Sequence, residues 1–321
     1  MILEAKYTIP MKEIYETLGT NIELLGFRGS QSHGLYVPKD DPKHIDDVDL
    51  IIFNVAPPSH YLGLTEWGSR GTMDFWIGEY DIVCYELKKA FSLLLNGNPN
   101  ILSVLWLDHY LYNSPVANEI IKNRELFVGK HVYNSFAGYA SAQLQKMENR
   151  DPEELRLYLA VTDELKLRGK HPTDNGIPFG YMNRGNDGER KDVAAWDTEK
   201  LLAKLRHYQR KGENLGYMGD KRKHLVLEIG YDSKNSANCI RLLKMAKEFL
   251  ADGIMRVVRK DDREELLAIK AGKWKLEHIK SYAEQLFSDV KEAHVKSPLP
   301  TEPNFKEVEK LLISLLKGKL V

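Results

Sequence analysis

Two carboxylates flank one apolar residue at the start of an apolar run, and this arrangement limits the fold more than any other feature of the sequence. Asp47 and Asp49 bracket Val48, and apolar residues continue through Phe53. Such a run predicts a β-strand, in which residues i and i+2 project from the same face. Adjacent carboxylates repel each other unless a cation lies between them, and their oxygens suit Mg²⁺ or Mn²⁺. The sequence therefore predicts a sheet with a paired-acid metal site at one strand end.

A glycine–serine turn precedes the paired acids along the chain. Gly29 and Ser30 follow residues 21–27, whose composition predicts another strand. Glycine permits a tight turn and the close approach of a ligand, while a serine hydroxyl and unpaired N–H groups can hold a phosphate. Arg28, directly before the turn, is a candidate for binding the same anion. The alternative for Arg28 is a structural role at the end of the strand.

A third carboxylate stands at the start of a later predicted strand, residues 80–85. Asp81 occupies that position, and a site with two close metal ions needs several shared carboxylates. Glu79 and Glu86 are alternatives, although Glu86 is more typical of the first turn of the following helix. Asp46 would point to the other face of its strand, so we expect its replacement to have almost no effect on activity.

The pattern along the rest of the chain favours helices. Strands are predicted over residues 21–27, 48–55 and 80–85, after a first helix over 11–18. Residues 56–79 contain helix and strand breakers and indicate an excursion with one short helix, and residues 169–195 indicate a long loop. Further helices are predicted over residues 87–95, 99–107, 114–123, 132–148, 152–168, 196–211, 234–251, 275–292 and 304–317.

These elements predict an α+β protein with two domains. A small sheet domain over residues 1–110 would carry the acids, and a larger α-helical domain over residues 111–321 would bind substrate. The 321 residues contain equal numbers of acidic and basic side chains, but the first part has a net charge of −7 and the second +7. An acidic part suits metal binding and a basic part suits polyanions.

Composition also excludes several protein classes. Two cysteines, Cys84 and Cys239, exclude a disulfide framework and a cysteine-rich zinc module. No apolar run approaches the roughly 18 residues of a membrane helix, so we expect no membrane partner. Glu4 and Lys6 stand where a signal peptide needs apolar residues. We therefore expect a cytoplasmic protein.

Other catalytic motifs do not fit the sequence. The spacing from Gly29 to Gly34 is that of a P-loop, but Leu35 and Tyr36 follow where lysine and serine or threonine are required. The sequence has no Gly-x-Ser-x-Gly elbow and no His-Glu-x-x-His motif. The glycine–serine turn and the acids therefore need a different explanation.

The order of these motifs resembles the signature of the DNA polymerase beta-type nucleotidyltransferase superfamily. That signature is a glycine–serine turn, an Asp-x-Asp pair flanked by apolar residues, and an aspartate on a later strand. A closer resemblance is to the RlaP-like subgroup, named for RNA-ligase-associated polymerase, and it extends over most of residues 20–275. The segments that carry it are Gly29-Ser-Gln-Ser-His-Gly34, Tyr85-Glu-Leu-Lys-Lys-Ala-Phe91, Gly97-Asn-Pro-Asn100, Gly230-Tyr-Asp-Ser-Lys234 and Arg241-Leu-Leu243.

The resemblance implies a mixed-sheet nucleotidyltransferase core that transfers a nucleoside monophosphate from an NTP, such as ATP, to an acceptor hydroxyl and releases pyrophosphate. Asp47 and Asp49 would hold two Mg²⁺ or Mn²⁺ ions, with Asp81 as shared ligand or base. Gly29 and Ser30, assisted by Arg28, would hold the β- and γ-phosphates.

Two basic residues of the helical part are further candidates for nucleotide binding. Lys234 and Arg241 share one face of a predicted helix, with Asn238 between them, where relatives often carry histidine. We expect both cations to contact the triphosphate or the acceptor across a cleft between the domains. The alternative is that they pair with surface acids such as Asp232 or Glu248.

The acceptor is less determined by the sequence than the reaction. The family name implies an RNA 3′ end, including tRNA, and the basic second part agrees with such a polyanion. The sequence has no RNA-recognition motif and no long basic run. Two alternatives therefore stay open: nucleotidyl transfer to a protein or small molecule, and a non-catalytic nucleotide-binding module.

Overall fold

The computed structural model describes residues 8–19, 21–41, 44–148, 152–170, 193–210 and 220–320. Its centre is a five-stranded mixed sheet with the strand order β3-β4-β2-β1-β5. Strands β2 and β4 run parallel, and the other neighbouring pairs are antiparallel. The strands are β1 (Ile22–Phe27), β2 (Val48–Asn54), β3 (Thr72–Ile77), β4 (Tyr80–Glu86) and β5 (Tyr112–Asn113).

Helices precede, interrupt and follow the sheet. The helices of the first part are α1 (Met11–Leu18), α2 (Gly29–Ser32), α3 (Pro58–Leu62), α4 (Leu87–Leu95), α5 (Pro99–Leu102), α6 (Pro115–Lys122) and α7 (Val132–Glu148). Those that follow are α8 (Pro152–Leu167), α9 (Thr198–Arg210), α10 (Asp220–Ile229), α11 (Ser233–Asp252), α12 (Arg263–Lys270), α13 (Leu276–Lys296) and α14 (Phe305–Leu320). Short 3₁₀ helices lie at Ser103–Trp106 and Arg124–Phe127. None of the helices in the described part of the chain combines the length and apolar composition of a bilayer span.

The α+β prediction is confirmed, and most predicted elements lie within a few residues of their observed bounds. The sequence analysis missed the strands β3 and β5, the helices α2, α10 and α12, and the 3₁₀ helix Arg124–Phe127. Strand β3 was not predicted because Gly71 and Gly78 flank it and because it lies at the edge of the sheet. The predicted helix over 99–107 is a short α-helix followed by a 3₁₀ turn. Most of the predicted loop 169–195 lies outside the described residues.

Alternating residues of β2 divide between two hydrophobic cores, one on each face of the sheet. Leu50 and Ile52 pack in the core that contains α1, whereas Ile51 and Phe53 pack in a larger core. This larger core continues through the later helices as far as Val308. A separate cluster joins helices α8, α9 and α10. The larger core crosses residue 110, and the division into domains at that residue stays a prediction.

A buried ion pair connects the paired-acid segment with the later helices. The Asp46 side chain is fully buried and bonds Lys270 of α12, while the Nζ of Lys234 on α11 lies 3.4 Å from its Oδ1. The Val37 N–H also donates to its Oδ2 at 3.1 Å. Although burial alone raises the pKa of Asp46, the charges of Lys270 and Lys234 lower it below its ordinary value.

This arrangement gives Asp46 a structural role that the sequence analysis did not foresee, while its expected lack of effect on activity stays a prediction. We predict that Asp46→Asn lowers the free energy of unfolding by about 3–5 kcal/mol, because it leaves the Lys270 charge buried without its counterion. Chemical denaturation measures the change. Asp40→Asn is the matched control, since Asp40 is exposed in the preceding loop. Equal stability of the two variants would show that the ion pair contributes nothing.

Candidate active site

The parallel pairing of β2 and β4 brings two of the predicted catalytic acids together. Asp49 and Asp81 are direct register partners, so their side chains project from the same face of the sheet. Neighbouring strands lie about 4.8 Å apart, which sets the backbone separation of the two acids. Their side chains are 20% and 27% exposed, respectively. The two carboxylates therefore form a half-buried pair at the start of adjacent strands.

Asp47 lies one residue before β2 rather than within it. Its carbonyl oxygen accepts a hydrogen bond from Gln31 Nε2 at 2.9 Å, which links the residue to α2. The charge of Asp47 raises the pKa of both Asp49 and Asp81. Asp47 thus lies close enough for its charge to act on the pair. The sequence analysis expected Asp47 and Asp49 to lie in one strand, but the strand begins only at Val48.

Arg28 bridges the two paired acids. Its Nη2 lies 3.1 Å from Asp81 Oδ2 and 3.6 Å from Asp49 Oδ1. The guanidinium Nε also donates to the Leu50 carbonyl at 3.2 Å, and the Arg28 N–H donates to the Asp49 carbonyl at 3.0 Å. These contacts with residues of β2 and β4 hold the guanidinium between the two acids.

The glycine–serine turn packs directly against Asp49. Gly29 has a φ of +62°, and a Cβ built there would lie 2.3 Å from Asp49 Oδ2. Only glycine permits both the backbone conformation and this close approach. The turn opens the one-turn helix α2, in which Ser32 Oγ donates to the Gly29 carbonyl at 2.9 Å. Ser30 makes a longer contact, 3.4 Å from its Oγ to Gln31 Oε1.

Both paired acids have pKa values above those of a carboxyl group in water. Burial, with smaller contributions from Asp81 and Asp47, raises the pKa of Asp49 to about 6, although Arg28 and Lys234 oppose the rise. Burial also raises the pKa of Asp81, and Arg28 again opposes it. Each carboxylate is therefore less stable in its charged form than it would be in water.

The side chains of this site can be compared with the ligands that a divalent cation requires. Within the described ranges no group of three His, Cys, Asp or Glu side chains has the spacing of a ready metal site. The donor chemistry nevertheless fits, because Asp49 and Asp81 are hard oxygen ligands that face each other and repel. A divalent cation would relieve this repulsion, and Asp47 is a further carboxylate whose charge raises the pKa of both acids.

Lys234 lies at the site, whereas Arg241 is buried in the helical part of the chain. Lys234 Nζ donates to the Ile45 carbonyl at 3.0 Å, and its charge lowers the pKa of Asp49. Its carboxylate partner is Asp46, not the surface acids considered from the sequence. Arg241 is 7% exposed, and its Nη1 lies 3.2 Å from Met245 Sδ. Burial, together with the charge of Arg259, lowers the pKa of Arg241 to about 9.

A buried histidine connects the turn to the later helices. His33 Nδ1 lies 2.9 Å from the Val257 carbonyl, and the His33 carbonyl accepts a hydrogen bond from the Arg259 N–H at 3.0 Å. Burial, followed by the charge of Arg241, lowers the pKa of His33 well below 6.5. The imidazole is therefore neutral near pH 7 and serves as a structural link, with its Nδ1–H donating to the carbonyl.

Two residues on the missed strand β3 belong to the same face of the sheet as the acids. Trp76 is the register partner of Asp81, and Asp74 lies two residues earlier with a charge that raises the Asp81 pKa. The alternation of Met73, Phe75 and Ile77 with these two residues is a strand signal that could have found them.

The glutamates considered as alternatives for the third acid have other partners. Glu86 caps helix α4, where its carboxylate accepts hydrogen bonds from the backbone N–H groups of Lys88 and Lys89. Glu79 pairs with Lys39. The polar contacts of both glutamates are therefore with groups outside the carboxylate pair. Asp81 stays the candidate third acid.

Comparison with known proteins agrees with this geometry. A mixed sheet with paired acids on parallel neighbours, beside a glycine turn, is the arrangement expected of a polymerase beta-type nucleotidyltransferase. Residues 4–162 match the model of RlaP, the RNA repair pathway DNA polymerase beta family. The resemblance is thereby confirmed there, whereas the segments around Lys234 and Arg241 lie beyond the match. A search of curated proteins found no match.

The contact between Gly29 and Asp49 gives a first prediction for the site. Gly29→Ala places a methyl group against the Asp49 carboxylate, so we expect a loss of stability clearly larger than the ~1 kcal/mol of a positive-φ alanine. Gly169→Ala is the matched control, because Gly169 has a φ of +69° with nothing within 4 Å of its Cβ. Thermal melts compare the two variants, and equal losses would exclude the steric contact.

The raised pKa of Asp49 gives a second prediction. Folding disfavours its charged form, so the cost is absent below its ordinary pKa of 3.8 and complete above about 6. Asp49→Asn should therefore raise the melting temperature by a few degrees at pH 8 without divalent cations, and the gain should vanish near pH 4. A gain that is constant with pH would contradict an electrostatic cause.

Proposed function

We propose that the protein is a metal-dependent nucleotidyltransferase that moves a nucleoside monophosphate from an NTP to an acceptor hydroxyl and releases pyrophosphate. The observation that carries this proposal is the pairing of Asp49 and Asp81 on adjacent parallel strands beside Gly29. The match of residues 4–162 to a polymerase beta family supports it.

Asp47, Asp49 and Asp81 would hold Mg²⁺ or Mn²⁺. Bound ions would neutralise the triphosphate and lower the pKa of the attacking hydroxyl. Asp81 is the candidate base or shared ligand, because its pKa is raised and it lies on the side of the pair away from the turn. Arg28 offsets the charge of both paired acids and keeps them in position.

The β- and γ-phosphates would bind at the turn. Gly29 brings the backbone close to the paired acids, and Ser30 adds a hydroxyl whose contact with Gln31 Oε1 is long, at 3.4 Å. Arg28, next to both, would add a charge-assisted hydrogen bond to the same anion. The turn and its arginine thus supply the recognition of phosphate that the acids alone cannot provide.

Lys234 and Arg241 would support the triphosphate in different ways. Lys234 is partly exposed and lies beside the acids, so it is the candidate for direct contact with a phosphate. Arg241 is buried beside His33, so its charge would act on bound anions through the turn rather than by contact. These roles extend the proposal beyond the matched residues.

The acceptor that we propose is an RNA 3′ end, with tRNA as one example. The family description places its members in an RNA repair pathway, and the positive net charge of residues 111–321 is consistent with a polyanion. Transfer to a protein or small molecule, and nucleotide binding without turnover, are the outcomes that would replace this proposal.

A labelling assay tests the proposed function. The protein is incubated with each labelled NTP in the presence of Mg²⁺ or Mn²⁺, and the acceptor is RNA, tRNA or total protein. Wild-type protein should label RNA only with metal, and Asp47→Ala, Asp49→Ala and Asp81→Ala should each lower the rate by several orders of magnitude. Asp108→Ala is the control, since Asp108 is 63% exposed and outside the site. Full activity in folded Asp47 and Asp49 variants would refute the site assignment.

A further inference from the structure

An exposed tryptophan lies directly beside the candidate catalytic acids. Trp76 is 60% exposed, although tryptophan carries one of the largest apolar surfaces of any side chain. Its strand neighbours Phe75 and Ile77 pack into the core on the opposite face of the sheet. Trp76 therefore points away from that core and toward the face that bears the acids. No part of the proposed triphosphate site accounts for this exposure.

The sheet register places the tryptophan in line with the rest of the site. Trp76 is opposite Asp81, and Asp81 is opposite Asp49. Gly29 contacts the far side of Asp49. Across the sheet the order is therefore turn, Asp49, Asp81 and tryptophan, with about 4.8 Å between successive strands. The indole lies one strand beyond the acid pair, on the side opposite the turn.

This order separates the two substrates of the proposed reaction. The triphosphate would lie at Gly29, so the acceptor hydroxyl must approach the acids from another side. The side next to Asp81 is the one that the tryptophan flanks. A group bound on the indole would therefore belong to the acceptor, not to the phosphates of the incoming NTP.

The surroundings of the indole decide what kind of group it suits. Asp74 is exposed on the same strand face, and its charge reaches Asp81. The negative charges of Asp81 across the strand and Asp74 along it disfavour a phosphate at this position. A nucleobase is neutral and flat, and stacking on an aromatic side chain is the usual way that proteins hold an unpaired base.

We propose that Trp76 stacks on the terminal base of an RNA acceptor and thereby positions its 3′-hydroxyl beside Asp81. The inference rests on the proposed function and names its acceptor site. It makes Trp76 a binding residue for single-stranded RNA ends, whatever their sequence, because every base offers a flat face.

Steady-state kinetics with a short single-stranded RNA and labelled NTP tests the assignment. Trp76→Ala should raise the KM for RNA roughly five- to a hundredfold, the range that loss of one stacked base predicts, and leave the KM for NTP unchanged. Trp76→Phe should restore most of the affinity. Phe305→Ala is the control, since Phe305 is 59% exposed on α14, outside the site.

An RNA that ends in an abasic nucleotide makes the test specific for stacking. Wild-type protein should bind it as weakly as Trp76→Ala does, and the substitution should then cause no further loss. Fluorescence titration without NTP gives a readout independent of turnover: RNA should quench wild-type emission, and Trp76→Phe should lose most of that quenching. Melting curves confirm that each variant is folded.

Three results would overturn the inference. An unchanged KM for RNA in folded Trp76→Ala would exclude stacking on the acceptor. A rise in the KM for NTP alone would assign the indole to the incoming nucleotide. Transfer to protein without RNA binding would assign the wrong acceptor. Failure of the proposed function is distinguishable, because a protein without turnover that still shows Trp76-dependent quenching by RNA would retain the binding site.

Discussion

The parallel pairing of β2 with β4 is the constraint on which the rest of the site depends. It places Asp49 opposite Asp81, where burial and like charge oppose ionisation of both. The fold tolerates the pair because Arg28 reaches both carboxylates from the end of β1. Gly29 then follows Arg28 directly, so the same short segment that offsets the charge also brings the turn against Asp49.

Cations from distant parts of the chain complete this balance. Lys234 and Lys270 belong to helices α11 and α12, yet both contact Asp46, next to the catalytic segment. Lys234 also lowers the pKa of Asp49. Residues 1–110 have a net charge of −7 and the remainder has +7. The ion pairs of Asp46 with Lys234 and Lys270 are contacts between these two oppositely charged parts. The acidic segment depends on the helical part for the counterions that permit its burial.

The sequence predicted local structure well because periodicity and turn residues act over short distances. The helix Met11–Leu18 and the acids' strand were predicted almost to their bounds. Register could not be predicted, because the pairing of Asp49 with Asp81 and of Trp76 with Asp81 depends on which strands become neighbours. The role of Asp46 was missed for the same reason, since Lys270 follows it by more than 200 residues.

The same register would let one sheet face serve both substrates of the proposed reaction. A mixed sheet orders its strands differently in space and in sequence, so β4 separates β3 from β2. The acids on β2 and β4 therefore have the turn on one side and the edge strand on the other. Because an edge strand has no further neighbour, Trp76 keeps its indole exposed without disturbing the core. In the proposed reaction an extended acceptor would thus approach the acids at this edge of the sheet, while the compact triphosphate would lie against the turn.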